Sequence, residues 1–276
     1  MAVTRYFLGG NTARGFVSFY DGFCRGPDDF LWVIKGGPGC GKSSFMKTVG
    51  HAAEEAGLDA EYVLCSGDPD SVDGVYIPAW RTGYVDGTAP HVIEAVTPGA
   101  AGLYLDLGQF YDRIALQKER RTIEDLQRRY KRLYRDAYAQ LAALTAPEGS
   151  LHVPEGRQRR FLRAVTCRGL VSAEPPAGAV QLVPEERLRA LLERGDAIVY
   201  CDPLFPDTAE AVYLPKEARY LRGPDLSLPD VQGTVSLLAQ AKQLHDELEV
   251  VYNPHVDFAR VYALANSHVL RLLREN

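Results

Sequence analysis

Residues 28–44 read DDFLWVIKGGPGCGKSS, and the fold turns on this stretch. An apolar run, Phe30-Leu31-Trp32-Val33-Ile34, ends where the glycines begin. Gly36-Gly37-Pro38-Gly39-Cys40-Gly41-Lys42-Ser43 then matches the phosphate-binding pattern G-x-x-x-x-G-K-[ST], a Walker A motif. Behind it, residues 45–56 make a good helical sequence closed by Gly57. The stretch therefore reads as buried strand, glycine loop and helix. Gly36, Gly39 and Gly41 let the backbone turn tightly, so that successive N–H groups can face phosphate oxygens. The helix N-terminus adds partial positive charge. Lys42 reaches for the terminal phosphates, the Ser43 hydroxyl for Mg²⁺, and Ser44 completes the site at the helix start.

Working outward, 276 residues with 46% hydrophobic and 24% charged residues describe an ordinary globular chain with a sizeable core. A net charge of −5 gives no global electrostatic case for nucleic acid. No apolar run approaches membrane-span length and the N-terminus lacks a signal-peptide layout, so a cytoplasmic protein is expected. Five cysteines (Cys24, Cys40, Cys65, Cys167, Cys201) show no C-x-x-C spacing, which argues against a zinc site or a disulfide framework. Cys40 lies inside the loop, where nearby positive charge favours a thiolate.

Before the loop, residues 6–21 hold a strand-like piece, a Gly/Asn turn and a second apolar stretch. Asn11, Thr12 and Arg14 either shape that turn or face the nucleotide from outside the core. After the helix, residues 60–65 form a strand, followed by a carboxylate-rich turn with Asp68 and Asp70. Residues 82–88 form another strand, ending in Asp86. A strand-terminal carboxylate is the second element such a loop requires, since it holds Mg²⁺ directly or through water. Asp86 is the first candidate. Asp106, ending residues 103–106, is the rival, although it can equally cap a helix. Gly87 follows Asp86, so the chain lacks an adjacent glutamate base.

Residues 109–146 contain neither Gly nor Pro, 38 residues that would span about 57 Å as one straight helix. Ile123, Leu126, Tyr130, Leu133, Ala137, Leu141 and Leu144 form its apolar stripe. Residues 117–135 carry eight Lys/Arg against three Asp/Glu, either a solvated face or a source of arginine for the phosphates. Residues 146–150 read as a linker, dividing a nucleotide-binding domain (1–146) from a second lobe (151–276).

That second lobe repeats the first in order. Thr12-Ala13-Arg14-Gly15-Phe16-Val17-Ser18 matches Thr166-Cys167-Arg168-Gly169-Leu170-Val171-Ser172. Arg5-Tyr6-Phe7-Leu8 resembles Arg159-Arg160-Phe161-Leu162, and Tyr62-Val63-Leu64-Cys65 resembles Ile198-Val199-Tyr200-Cys201. Ser18 to Cys65 is 47 positions but Ser172 to Cys201 only 29, and the missing 18 fall where a phosphate loop should be. Residues 179–183 can be the strand, with a helix starting at Pro184 almost at once. Near the C-terminus, residues 234–251 and a stripe from Phe258 to Leu272 give two helices broken at Pro254. His245, His255 and His268 make no convincing ligand set.

The chain resembles a group of uncharacterised bacterial P-loop ATPase-like proteins built as two tandem halves. The likeness is carried by residues 10–16, 34–43, 68–78 and 85–91. It implies ATP binding, with hydrolysis, and supplies no substrate. The members look longer, with a phosphate loop in each half, and this chain departs by lacking the second. The expected fold is α/β: a P-loop NTPase-like, mainly parallel sheet flanked by helices, with a smaller degenerate repeat of the same build. Three functions follow as expectations. The first is a Mg²⁺-dependent ATPase, a nucleoside triphosphate hydrolase whose turnover is coupled to an unknown protein partner or to a conformational change, with Lys42 and Asp86 as its catalytic pair. The second is a kinase acting on a small molecule or nucleotide, with Asp68 or Asp70 positioning the acceptor. The third is a non-catalytic nucleotide sensor. No N-K-x-D-type base reader appears, so nothing points to a guanine switch.

Overall fold

The computed structural model describes residues 1–176, 180–224 and 228–275. β1 (Val3–Tyr6) leads into a hairpin of β2 (Gly9–Thr12) and β3 (Gly15–Ser18). β4 (Phe30–Lys35) runs into the glycine loop and α1 (Lys42–Glu55). β5 (Ala60–Leu64), β6 (Val72–Ile77), β7 (Thr82–Asp86) and β8 (Gly102–Asp106) complete a six-stranded sheet in the order β1-β5-β6-β7-β4-β8. β6 alone runs against its neighbours. The sheet is therefore mixed, and the reason is local. The β5–β6 turn and the 3-10 turn Pro78–Trp80 are too short for the crossover that parallel neighbours need.

The expected long helix is broken into pieces. Asp106 caps a 3-10 turn, Leu107–Phe110. Asp112 then caps α2 (Arg113–Lys118), its Oδ1 accepting the Ile114 and Ala115 N–H groups at 3.0 Å each. α3 (Arg120–Leu141) starts only after Glu119. Absence of Gly and Pro does not ensure continuity where aspartates offer caps that compete with the helix ladder.

The second half holds β9 (Leu151–His152), β10 (Gln158–Phe161), the hairpin β11 (Arg163–Thr166) and β12 (Gly169–Ser172), and β13 (Val180–Leu182). α4 (Glu185–Leu192), β14 (Ile198–Cys201), β15 (Thr208–Leu214) and β16 (Arg219–Arg222) follow. α5 (Gln232–Tyr252) and α6 (Phe258–Glu275) end the chain. The second sheet runs β10-β14-β15-β16-β13, with β9 added beside β15. Its order and strand directions repeat those of β1-β5-β6-β7-β4. Only Val183 and Pro184 separate β13 from α4, where six residues of glycine loop separate β4 from α1. The described residues are thus α/β, two mixed six-stranded sheets and two two-stranded hairpins with six α-helices. Among the described residues, no helix is long and apolar enough to cross a membrane.

Matched residues also join the halves. Phe7 N–H donates to Phe161 O at 2.9 Å, and Phe161 N–H returns the bond to Phe7 O at 2.8 Å. Arg14 pairs with Asp207, and Arg168 with Asp70. Reciprocal contacts between equivalent positions mark a local two-fold relation, as in a symmetric dimer. One core runs through the junction, with Tyr6, Phe7 and Val63 packed alongside Phe161, Tyr200 and Tyr220. The C-terminal helices cross back onto the first half. Val261 and Ala265 of α6 pack with Phe45 and Met46 of α1, and Leu244 and Leu248 of α5 pack with Ile123 and Leu126 of α3.

Candidate functional site

The glycine loop crowns the C-terminal ends of three parallel neighbours, β7, β4 and β8, the edge where open α/β sheets take ligands. Two glycines there have no substitute. Gly36 sits at φ +152°, where a Cβ would lie 2.5 Å from Cys40 Sγ. Gly39 sits at φ +65°, where a Cβ would lie 2.5 Å from the Asn253 side-chain amide. Among the described residues, the Gly39 and Gly41 N–H groups meet no hydrogen-bond acceptor.

Lys42 opens α1 and folds back over the loop. Its Nζ donates to Gly36 O at 3.0 Å and Gly37 O at 2.9 Å, and lies 3.6 Å from Asp86 Oδ2. The Lys42 and Asp86 side chains are 13% and 16% exposed. β7 lies beside β4 in register, with Asp86 opposite Ile34, and this delivers the carboxylate to the loop. Thr88 holds its other oxygen, the N–H at 2.8 Å and the hydroxyl at 2.5 Å. Asp106 flanks β4 on the opposite side, opposite Lys35, but is exposed and accepts the Gly108 N–H at 2.8 Å as a cap. The structure therefore brings Asp86, and not Asp106, to Lys42. Ser43 Oγ accepts the Val72 N–H at 3.0 Å, tying the loop's helix to β6. Ser44 is exposed at the first turn.

Cys40 departs from expectation. Its side chain is 1% exposed, and burial pushes the thiol up, overriding Lys42. It is a packing residue and not a reactive thiolate. Asn11, Thr12 and Arg14 also turn away from the loop. Asn11 donates to Val165 O at 2.8 Å and accepts the Tyr138 hydroxyl at 3.0 Å, Thr12 closes its own hairpin turn, and Arg14 crosses to Asp207. The basic face of α3 is solvated, with Arg120 on Glu124 at 2.6 Å and Arg128 on Asp125 at 3.1 Å. Asp70 is taken by Arg168, while Asp68 receives Lys242 of α5 at 3.4 Å.

The wall formed by α5 escaped the sequence reading. With its amide turned to donate, Asn253 reaches Gly39 O at 3.0 Å and Glu249 O at 3.2 Å. A Cβ on Gly39 would come within 3.3 Å of Glu249 Cα. His245 Nδ1 lies 3.7 Å from Glu249 Oε1, and with Asp246 these ligand-type atoms all fall within 4.8 Å of one another. The Asn-Pro break between two helices was the only signal, and it announces a turn without saying what the turn touches.

A second missed pair is Asp73 and His91, both side chains under 10% exposed, with Nε2 and Oδ2 3.0 Å apart. Asp73 stands at the β5–β6 register shift; Glu210 occupies the equivalent shift between β14 and β15 and is held by Arg163 at 2.9 Å. The same acid recurs in the half without a glycine loop, so its role is architectural. A groove of about 770 Å³ lies apart from the loop, between Arg25, Tyr76 and Arg160, and Arg160 is already paired with Glu61 at 3.1 Å. No protein-family model, curated protein or solved structure matches this chain.

Proposed function

We propose that the chain is a P-loop NTPase-like, Mg²⁺-dependent ATP-binding protein that hydrolyses ATP, with one phosphate site per chain. The observation that carries this reading is the convergence of Lys42 and Asp86, 3.6 Å apart, at the mouth of a loop whose Gly39 and Gly41 N–H groups meet no acceptor among the described residues. A cation and free amides suit phosphate oxygens, and a strand-end carboxylate suits the counter-ion. The donor set fits Mg²⁺, because Ser43 Oγ and Asp86 Oδ2 are hard oxygens. Bound there, the metal would neutralise charge on the terminal phosphates. Lys42 must leave the Gly36 and Gly37 carbonyls to meet those phosphates, so ligand binding exchanges two internal hydrogen bonds for charge-assisted ones.

The reading is tested by titrating ATP with and without Mg²⁺, then measuring phosphate release with and without metabolite extracts as acceptors. Mg²⁺-dependent binding with acceptor-independent phosphate release supports it. Acceptor-dependent ADP formation would make the chain a phosphotransferase. Absence of nucleotide binding would refute the assignment of the loop.

A further inference from the structure

Gly87 follows Asp86 at the end of β7, and His91 in the segment after it is buried against Asp73 at 3.0 Å, so neither stands open as a base. The carboxylates near the loop are engaged: Asp86 by Thr88 and Lys42, Asp68 by Lys242, Asp70 by Arg168. The remaining candidates lie on α5. Lys242, His245, Glu249 and Asn253 recur at three- and four-residue steps, which places them on one helix face. Contacts fix both ends of that stripe against the site. Lys242 holds Asp68 in the turn that leads to Ser43's partner Val72, and Asn253 holds the Gly39 carbonyl. His245 and Glu249 lie between these anchors. Tyr130 of α3 backs the imidazole at a ring separation of 5.9 Å.

We propose that His245, oriented by Glu249, takes the proton from the oxygen nucleophile that attacks the terminal phosphate. This rests on the ATP-hydrolysis reading above. The nucleophile's oxygen bonds to the terminal phosphorus. The bridging P–O bond breaks, its electron pair leaves on the nucleoside diphosphate, and the nucleophile's proton moves to the imidazole. Glu249 Oε1 lies on the Nδ1 side of the ring at 3.7 Å, a charge contact and not a hydrogen bond, which leaves Nε2 for the accepting role.

The protonation state suits the task. Burial lowers the His245 basicity, Glu249 and Asp246 oppose this, and Lys242 and Lys42 add to it. Tyr130 is the titratable group facing it from α3, held neutral by its own burial. The imidazole is neutral at pH 7 and gains its proton only under more acidic conditions.

The test is steady-state phosphate release by the full chain across pH, with Mg²⁺-nucleotide affinity measured in parallel. His245→Asn is expected to lower kcat about 100-fold or more with affinity within about threefold, and to abolish the acidic limb of the kcat–pH profile. Glu249→Gln is expected to lower kcat and move that limb to lower pH, because the carboxylate that supports the imidazolium is gone. His245→Gln serves if the Asn variant folds poorly. A kcat within threefold of wild type, an unchanged acidic limb, or affinity lost together with kcat would overturn the base assignment while leaving the ATP site standing. Wild-type protein that binds Mg²⁺-ATP but never turns it over overturns base and hydrolysis together. Wild-type protein that binds no nucleotide overturns the underlying reading.

Discussion

The Lys42–Asp86 pair allows a test on the free protein, before any nucleotide is added. Opposite charges 3.6 Å apart at an effective dielectric of about 20 attract by about 4–5 kcal/mol. Both side chains are mostly withdrawn from water, so desolvation offsets most of that, and the two loop carbonyls already satisfy part of the ammonium. A coupling of about 1–2 kcal/mol is expected to remain. Urea unfolding of Lys42→Ala, Asp86→Ala and the double variant measures it as a thermodynamic cycle. Each single variant should lose about 1–3 kcal/mol, and the double should lose less than their sum by the coupling. In nucleotide titrations the two variants should part company. Lys42→Ala should weaken binding at least about 100-fold with or without Mg²⁺, whereas Asp86→Ala should weaken it chiefly when Mg²⁺ is present. Losses in the cycle that add to within about 0.3 kcal/mol, or full nucleotide affinity in Lys42→Ala, would refute the geometry on which the function rests.

Other sites give sharper single measurements. His268 of α6 is buried against Tyr84, its Nδ1 2.9 Å from the hydroxyl, and burial with Arg271 lowers its pKa to about 4. The unfolded chain therefore takes up this proton first, so stability is full above about pH 6.5 and falls by about 2–3 kcal/mol on acidification toward pH 4. His268→Phe should flatten that part of the pH–stability curve. Asp73→Asn breaks a buried pair and should lose about 3–5 kcal/mol in urea unfolding. Gly50→Ala gains about 1 kcal/mol of helix propensity, yet its methyl would lie 2.2 Å from the Tyr62 hydroxyl. Overpacking outweighs propensity there, and thermal unfolding should show a net loss of about 1–2 kcal/mol.

The local chemistry was legible wherever one segment contains it. The glycine loop, the strand before it, the helix after it and the strand-end Asp86 all lie in short stretches whose residue types answer to backbone geometry. So did the repeat, because Thr-x-Arg-Gly turns fold the same way twice: Thr12 Oγ1 accepts the Arg14 N–H at 3.1 Å, and Thr166 Oγ1 the Arg168 N–H at 3.0 Å. What stayed hidden depends on distant partners. Asn253 lies more than 200 positions from Gly39, and no periodicity in α5 indicates that its polar stripe faces a loop and not water. The two-domain division failed to convey the packing for the same reason. The linker at 146–150 is real in composition, but α6 finds its apolar partners on α1. Cys40 misled because sequence proximity to Lys42 says nothing about burial, and here burial is the larger influence.

The two halves meet one packing problem with different residues, and the difference follows the presence of the site. Each sheet has a register shift carrying a buried acid, Asp73 in one and Glu210 in the other. In the second half the partner is Arg163, from the first residue of the β11–β12 hairpin. Gly9 holds that place in the β2–β3 hairpin, where a Cβ would lie 3.1 Å from His91 Cε1. The first half thus gives up the hairpin cation and draws one from the segment after β7 instead. That segment is the one carrying Asp86 and Thr88, and His91 N–H also donates to Thr88 O at 3.0 Å. The buried Asp73–His91 pair therefore anchors the loop that orients the Asp86 carboxylate. In the half without a glycine loop no such carboxylate needs holding, and its buried acid is free to pair with the hairpin. Absence of the glycine loop and the different source of the cation are two parts of one structural difference between the halves, and they put the glycine loop and the carboxylate beside it on the first half.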